Sequence, residues 1–440
     1  MFYKMKYDII PKYNSVIIFL IYSLYLNYIR RVIMYKKFSH VAMNEDSNCK
    51  KATFRQKELY TRNNDMRTEF ERDYTRILHC LAYRRLKHKT QVFFNTQNDH
   101  ICTRMEHVSH VESVSYVIAK SLGLNYELTR AIATGHDLGH APFGHEGENV
   151  IKKILKDNLN SSFWHEKNGL RVVDKLELLQ DNKGNMSNLN LTYAVRDGII
   201  CHCGEVDENG IFPRKEYIDL NTITNPGQVQ PYTWEGCIVK ISDKIAYLGR
   251  DIEDALLLKI ISRDDLKDVY ELGLKYGQKT VNTSVIMHEL MGDLIENSSI
   301  ENGICFSHEK QNFIDSIKKF NYEKIYDNKK FSYYKKYANL VINSIFEELF
   351  KYYDKENTIN NLQANIDKKY RFVISDFKGW IIKYCDESIF DIKDLKSSLN
   401  NDKIYGTLSS EDVYKEAIVD YISCMTDAYA IKCFNELISF

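Results

Sequence analysis

Gly135-His-Asp-Leu-Gly-His-Ala-Pro-Phe-Gly-His-Glu-Gly-Glu148 decides how this 440-residue chain is read. The adjacent His136 and Asp137 can turn an imidazole and a carboxylate toward one cation. His140, one helical turn later, adds a third polar group to the same face. Seven of the thirteen histidines fall between His100 and His165. Buried imidazoles and carboxylates are costly unless paired or ligated, so a cluster this dense points to chemistry rather than to packing.

Working outward, the flanking pattern is helical. Phe70, Tyr74, Ile77, Leu78, Leu81 and Ala82 recur at steps of three and four residues. A second helix is expected from about Arg104 to Leu122, closed by Gly123, and a third from Tyr126 to Leu138. Gly139 and Pro142 break the third, with a restart near His145. Further helices are expected over 189–203 and 234–259, with an excursion over 204–230, a loop over 90–99 and a polar connector over 354–367. Five prolines and nineteen glycines are few for this length, which favours helices over a turn-rich β architecture. The expected class is all-α: a helical core at 67–262 with a helical C-terminal region, 263–440, packed against it and completing one catalytic unit. Residues 44–66 read as a linker.

Formal net charge is zero, so global charge selects neither nucleic acid nor membrane. The ten cysteines form no repeated CxxC framework and read as reduced thiols of a cytoplasmic protein. Cys201-His202-Cys203 has no matching second pair, so it reads as the end of a helix rather than a zinc fragment. Residues 1–43 carry seven Lys/Arg against one acid and include the charge-free run Val16 to Ile29. That run is shorter than the roughly 20 apolar residues that span a bilayer. A basic, apolar leader of this kind fits either a surface anchor or a start of translation at Met34 or Met43, the latter being preferred; a membrane partner is not expected.

Four groups form a candidate metal set: His107, His136, Asp137 and Asp243. Mixed His/Asp donors suit Mn, Fe, Co or Ni, with Mg less natural beside several imidazoles. His107 alone reads rather as an ordinary helix histidine. Asp243, Tyr247, Asp251 and Asp254 share one stripe of a helix whose other positions are Ile238, Ile241, Ile245 and Leu248. Such a stripe lines a cleft or forms a solvated acidic face. His145 and Glu148 lie three apart, so the carboxylate can orient the imidazole for acid–base work. Arg104, Lys244 and Arg250 supply charge suited to phosphate oxygens. No P-loop, GxGxxG turn or GxSxG elbow is present.

These residues resemble the HD superfamily of metal-dependent phosphohydrolases, and more closely the bacterial dGTPase family of deoxynucleoside triphosphate triphosphohydrolases. The resemblance is carried by Arg67 to His79, Arg84 to Phe93, Thr103 to His107, the Gly135 to Glu148 block, Phe163-Trp-His-Glu166 with Gly169-Leu-Arg171, Leu189 to Thr192, Ile238 to Asp254 and Asp420 to Asp427. It spans about residues 50–440 in consistent order. It implies release of inorganic tripolyphosphate from a deoxynucleoside triphosphate, dGTP first, by water that a divalent cation (Mn preferred, with Mg, Fe, Co and Ni as alternatives) makes nucleophilic toward the α-phosphorus.

Carried over by position, His107, His136, Asp137 and Asp243 match the metal ligands. His145 and Glu148 match the catalytic histidine and its acidic partner, and His140 and His165 match phosphate-facing histidines. Arg104 and Lys244 match triphosphate contacts, and Gln91, Tyr247 and Asp251 match residues around the deoxyribose. Met105-Glu106 departs from the family's usual Leu-Thr, and Ala428 stands where arginine often follows. The resemblance also implies a homo-oligomer, tetramer or hexamer, with dNTP activators. The alternatives are another HD phosphohydrolase acting on nucleoside monophosphates or cyclic nucleotides, and a non-catalytic binder of nucleotides or single-stranded nucleic acid.

Overall fold

The computed structural model describes residues 37–44, 50–60, 64–93, 98–203, 209–275, 282–366, 370–391 and 398–439. The apolar run Val16 to Ile29 lies outside the described residues, and so do both alternative readings of it. Among the described residues no helix is long and apolar enough to cross a membrane.

Among the described residues the architecture is all-α, with one two-stranded antiparallel ribbon. In chain order the helices are α1 (Glu69–His79), α2 (Leu81–Arg85), α3 (Arg104–Leu122), α4 (Tyr126–Gly135), α5 (Gly144–Leu159), α6 (His165–Arg171), α7 (Tyr193–Cys201) and α8 (Trp234–Leu257). There follow α9 (Asp265–Lys275), α10 (Thr283–Asn297), α11 (His308–Phe320), α12 (Ser332–Phe350), α13 (Thr358–Asn365), α14 (Arg371–Ile381), α15 (Glu411–Ser423) and α16 (Asp427–Ile438). Strands β1 (Leu178–Gln180) and β2 (Met186–Asn188) pair between α6 and α7.

Local chemistry explains the boundaries that matter. Thr103 and Glu106 form a capping box at the start of α3, with the Thr103 amide donating to Glu106 Oε2 at 2.8 Å. That is the physical use of Glu106. Gly123, at φ 81°, closes the same helix in the left-handed region. Helix α4 stops at Gly135, three residues short of the expected Leu138, so His136 to Gly139 form a turn rather than a last helical turn. Phe143, at φ 67°, and Gly144, at φ 59°, turn the chain into α5.

Two apolar cores meet along α3 and α8. Val108 and Val111 of α3, with Val239 and Ala246 of α8, join the larger one, built with α1, α4, α5, α7 and the C-terminal helices. Val114, Ile118, Ile238, Ile241 and Ile245 join the other, with α10 and α11. Every residue of α7 is buried, as expected of a helix enclosed on all sides. Its charged members are paired: Arg196 reaches Asp174 at 2.5 and 2.7 Å, and Asp197 pairs with Arg214.

Two segments differ from the sequence expectation. Residues 50–60 pack as part of the core unit. Arg55 meets Asp73 at 2.6 Å and Glu69 at 2.9 Å, and the carbonyls of Ala52 and Phe54 receive the amides of Ala194 and Tyr193. The polarity that suggested a linker serves to satisfy α1 and the entry to α7. Within 354–367, α13 forms despite its asparagines, because Ile359 and Leu362 bury one face.

Candidate active site

The site is assembled from the ends of several helices and the middle of α8. Helix α3 contributes Arg104 and His107, and packs against α4 and α8. The turn after α4 contributes His136, Asp137 and His140, α5 His145 and Glu148, α6 His165 and Glu166, and α8 Asp243, Lys244, Tyr247 and Asp251.

Asp243 Oδ1 lies 2.9 Å from His107 Nε2 and 4.0 Å from His136 Nε2, while His136 Nε2 lies 3.7 Å from Asp137 Oδ1. The four residues from three parts of the sequence therefore converge. His136 Nδ1 is 2.6 Å from the Ala133 carbonyl, which sets the proton on Nδ1 and leaves Nε2 as a lone-pair donor. That Nε2 is buried without a hydrogen-bond partner. A buried acceptor in this state beside two carboxylates suits ligation of a divalent cation, and His107, His136 and Asp137 present donor atoms within 4.8 Å of one another.

The electrostatics agree with that use. Burial holds His136 neutral, below the ordinary imidazole range. Burial works against Asp137 and Asp243 as anions, yet their neighbours prevail: Arg104, His140 and His136 for Asp137, and the His107 hydrogen bond for Asp243. Both carboxyls stay well below their usual range and remain available as anionic donors.

Beyond the metal set, Arg104 Nη1 lies 3.0 Å from Asp137 Oδ2 and 2.8 Å from His140 Nε2. Its Nη2 donates to the Gln91 carbonyl at 3.2 Å. The His140 and His165 rings stack at 3.8 Å. The structure differs from the sequence expectation over Glu148: its Oε2 is 3.1 Å from His165 Nδ1 but 3.9 Å from His145 Nδ1. A distance of 3.9 Å is not a hydrogen bond. Glu148 holds His165, while His145 stands with its side chain 65% exposed. Against the penalty of burial, Glu166 and Glu148 raise His165 to about 10, so it is an imidazolium at neutral pH.

Glycine permits this assembly. A Cβ on Gly139 would stand 2.1 Å from both the Gly169 amide nitrogen and the His165 carbonyl. Only hydrogen at that position lets α6 bring His165 against the His-Asp turn, and Asn168 Nδ2 then donates to the Gly139 carbonyl at 2.7 Å. The C-terminal helices hold the same turn. Asp427 receives the Phe143 amide at 2.9 Å and the Thr90 amide at 3.1 Å, and Lys89 Nζ bridges the carbonyls of His140 and Ser423. Arg171 grips Asp420 at 2.6 to 2.9 Å.

Of the remaining predicted residues, Lys244 is buried on α8 next to Asp243, and Tyr247 is half-buried. Gln91 is buried, its Oε1 lacking a partner. Asp251 is buried and receives the hydroxyl of Tyr326. Arg250 is turned to Asp254, 3.4 Å away, and to the His100 carbonyl, so it is not brought to the cluster. Asp254 accepts the Cys102 amide at 2.9 Å and serves the fold.

Two residues escaped the sequence reading. Tyr326 sits 75 residues beyond Asp251, in a run of tyrosines and lysines that gives no signal. His202 has its ring 5.0 Å from that of His136, and with His136 and Asp243 it presents donor atoms within 4.8 Å. Its signal was the Cys201-His202-Cys203 fragment, set aside for want of a second cysteine pair.

The HD domain family matches residues 104–248, the span that supplies the cluster from Arg104 to Asp243. A deoxyguanosinetriphosphate triphosphohydrolase-like protein of Caldanaerobacter subterraneus subsp. tengcongensis is 35% identical, covering 85% of this chain and 86% of its own. Proteins of the same name from Rickettsia bellii and Clostridium tetani are 32% and 30% identical, each over 85% of this chain and over 92% and 86% of their own. With its helical architecture, its converging His and Asp donors and these relatives, the chain belongs to the deoxyguanosinetriphosphate triphosphohydrolase-like family of HD-domain proteins.

Proposed function

We propose that this protein hydrolyses deoxynucleoside triphosphates, dGTP first among them, to deoxynucleoside and inorganic tripolyphosphate. The observation that carries the reading is the continuity of the donor cluster with Arg104, whose one guanidinium nitrogen meets both Asp137 and His140. The name borne by the relatives supports the choice of dGTP.

His107, His136, Asp137 and Asp243 would hold a divalent cation, which when bound would supply Lewis-acid chemistry: polarisation of a phosphate oxygen and a lowered pKa for water. Manganese suits the mixed imidazole and carboxylate donors best. Arg104 and Lys244 bind phosphate oxygens and offset charge as it develops. His140 and the imidazolium of His165 face the phosphate chain. His145, exposed at the cleft, serves the proton transfer that lets the 5′-oxygen leave, taking the proton of the attacking water and passing it on, and Glu148 holds His165 beside it. Gln91 Oε1, a buried acceptor without a partner, receives the 3′-hydroxyl. Tyr247 and Asp251 crowd the sugar and disfavour ribose. Residues 67–262 form the catalytic core and 263–440 complete it. The protein acts in the cytoplasm as a homo-oligomer with dNTP activators; binding of single-stranded nucleic acid belongs to the alternative, non-catalytic reading.

The test is product analysis by ³¹P NMR with dGTP and Mn²⁺, repeated with each dNTP alone and in mixtures. Tripolyphosphate is expected, and pyrophosphate or phosphate as the first product would refute the reaction class. Replacing His136 and Asp137 together by alanine is expected to abolish turnover and cation binding at once.

A further inference from the structure

His136 and His202 occupy equivalent places in two different helices. Each is the residue that follows the last turn, His136 after α4 and His202 after α7. In each, Nδ1 approaches the carbonyl three residues earlier: Ala133 at 2.6 Å and Ile199 at 2.7 Å. Both rings are buried. The same hydrogen bond sets the same tautomer, with the proton on Nδ1 and a lone pair on Nε2. One turn before each histidine the two helices touch closely. A Cβ on Gly198 would stand 2.5 Å from the side chain of Ile132, so glycine is what allows the approach. The close crossing delivers both imidazoles to one place, edge to face at 5.0 Å.

We propose that His202 is a fifth protein donor to the metal centre, alongside His107, His136, Asp137 and Asp243. The inference rests on the metal-dependent reading above and adds a ligand to it. His136, His202 and Asp243 offer donor atoms within 4.8 Å of one another. Ligands held at about 2.0–2.2 Å on one first-row cation lie no more than about 4.4 Å apart, so small side-chain adjustments close the set. With its Nδ1 committed to the Ile199 carbonyl, His202 keeps a lone pair on Nε2, and it groups with Asp243, a carboxylate 2.9 Å from His107 and 4.0 Å from His136; ligation is the economical use of such a lone pair. His202 also lies within 4.8 Å of the donor atoms of His165 and Glu166, so a separate second cation is the competing arrangement.

The experiment loads apo protein with Mn²⁺ alone. In protein labelled with ¹⁵N-histidine, pulsed EPR counts the imidazole nitrogens on the ion, and titration gives stoichiometry and Kd. Expected are one Mn²⁺ per chain bearing three imidazoles, and for His202→Gln one Mn²⁺ bearing two, bound about 10–100-fold more weakly. Two imidazoles in the unsubstituted protein would overturn the proposal, as would an unchanged Kd in folded H202Q. Two ions per chain, one of them lost in H202Q, would replace it with the second-cation arrangement. If H202Q does not fold, the count on the unsubstituted protein still decides. Failure to make tripolyphosphate while Mn²⁺ binds through three imidazoles would sink the proposed reaction and leave this inference standing. Failure to bind Mn²⁺ at all would sink both.

Discussion

Asp251→Asn is the perturbation whose size follows most directly from the structure. Asp251 is buried in α8, and no cation is paired with it among the described contacts; its one recorded hydrogen bond is the hydroxyl of Tyr326. Burial raises its carboxyl from the ordinary 3.8 to about 6, a rise the Tyr326 hydrogen bond only moderates. Below pH 4 the carboxyl is protonated in both folded and unfolded chains and contributes nothing. As pH rises from about 4 to about 6 the unfolded chain releases this proton first, so stability is lost across that window. Two pH units of separation, at about 1.4 kcal/mol each, amount to about 3 kcal/mol by pH 7.5. Asparagine keeps an acceptor for Tyr326 and removes the charge.

With an unfolding entropy of about 2.1 cal/mol/K per residue, that gain raises Tm by about 3 °C. Calorimetry on chelator-treated protein should show D251N more stable at pH 7.5, with the gap roughly halved at pH 5. Tyr326→Phe should move the window to higher pH, since it deletes the hydrogen bond that favours the anion. Equal midpoints for D251N and the unsubstituted protein from pH 5 to 8, or a less stable D251N at pH 7.5, would refute the reasoning. The same D251N protein is expected to discriminate less between dGTP and GTP, read as the ratio of kcat/KM.

Three further outcomes are expected. Gly139→Ala forces a Cβ against the Gly169 amide and the His165 carbonyl, so denaturant unfolding should show a loss of about 3 kcal/mol or more. Asp427→Ala leaves the buried amides of Phe143 and Thr90 without acceptors and should cost roughly 2–4 kcal/mol by the same measurement, although residue 427 is remote in sequence from the His-Asp turn. Glu148→Gln removes one of the carboxylates that raise His165, the one hydrogen-bonded to it. The alkaline limb of the pH–rate profile should shift to lower pH, with kcat reduced about 10²-fold or more; an unmoved limb would dissociate His165 from the reaction.

The helical class and most helix positions follow from apolar spacing and a few caps, because those signals are local. Leu, Ile and Val at steps of three and four mark α3 and α8, and Gly123 marks the end of α3. Of the candidate metal set, His136-Asp137 is legible from local pattern, whereas His107 alone reads as an ordinary helix histidine and Asp243 is weak by itself, so that the family resemblance joins them to it. What sequence spacing could not decide is which of two nearby groups a side chain meets. Glu148 is three residues from His145 and seventeen from His165, yet its hydrogen bond goes to His165. The approach of α6, allowed by a missing Cβ at Gly139, outweighs proximity in the chain. His202, Tyr326 and Asp427 reach their places only through the crossing of α4 with α7, the packing of residues 321–326 on α8 and the return of α16 to the His-Asp turn. Local pattern records which face of an element is buried. The partner on the other side of that face is chosen by how whole helices fit together, and that is a property of the folded molecule.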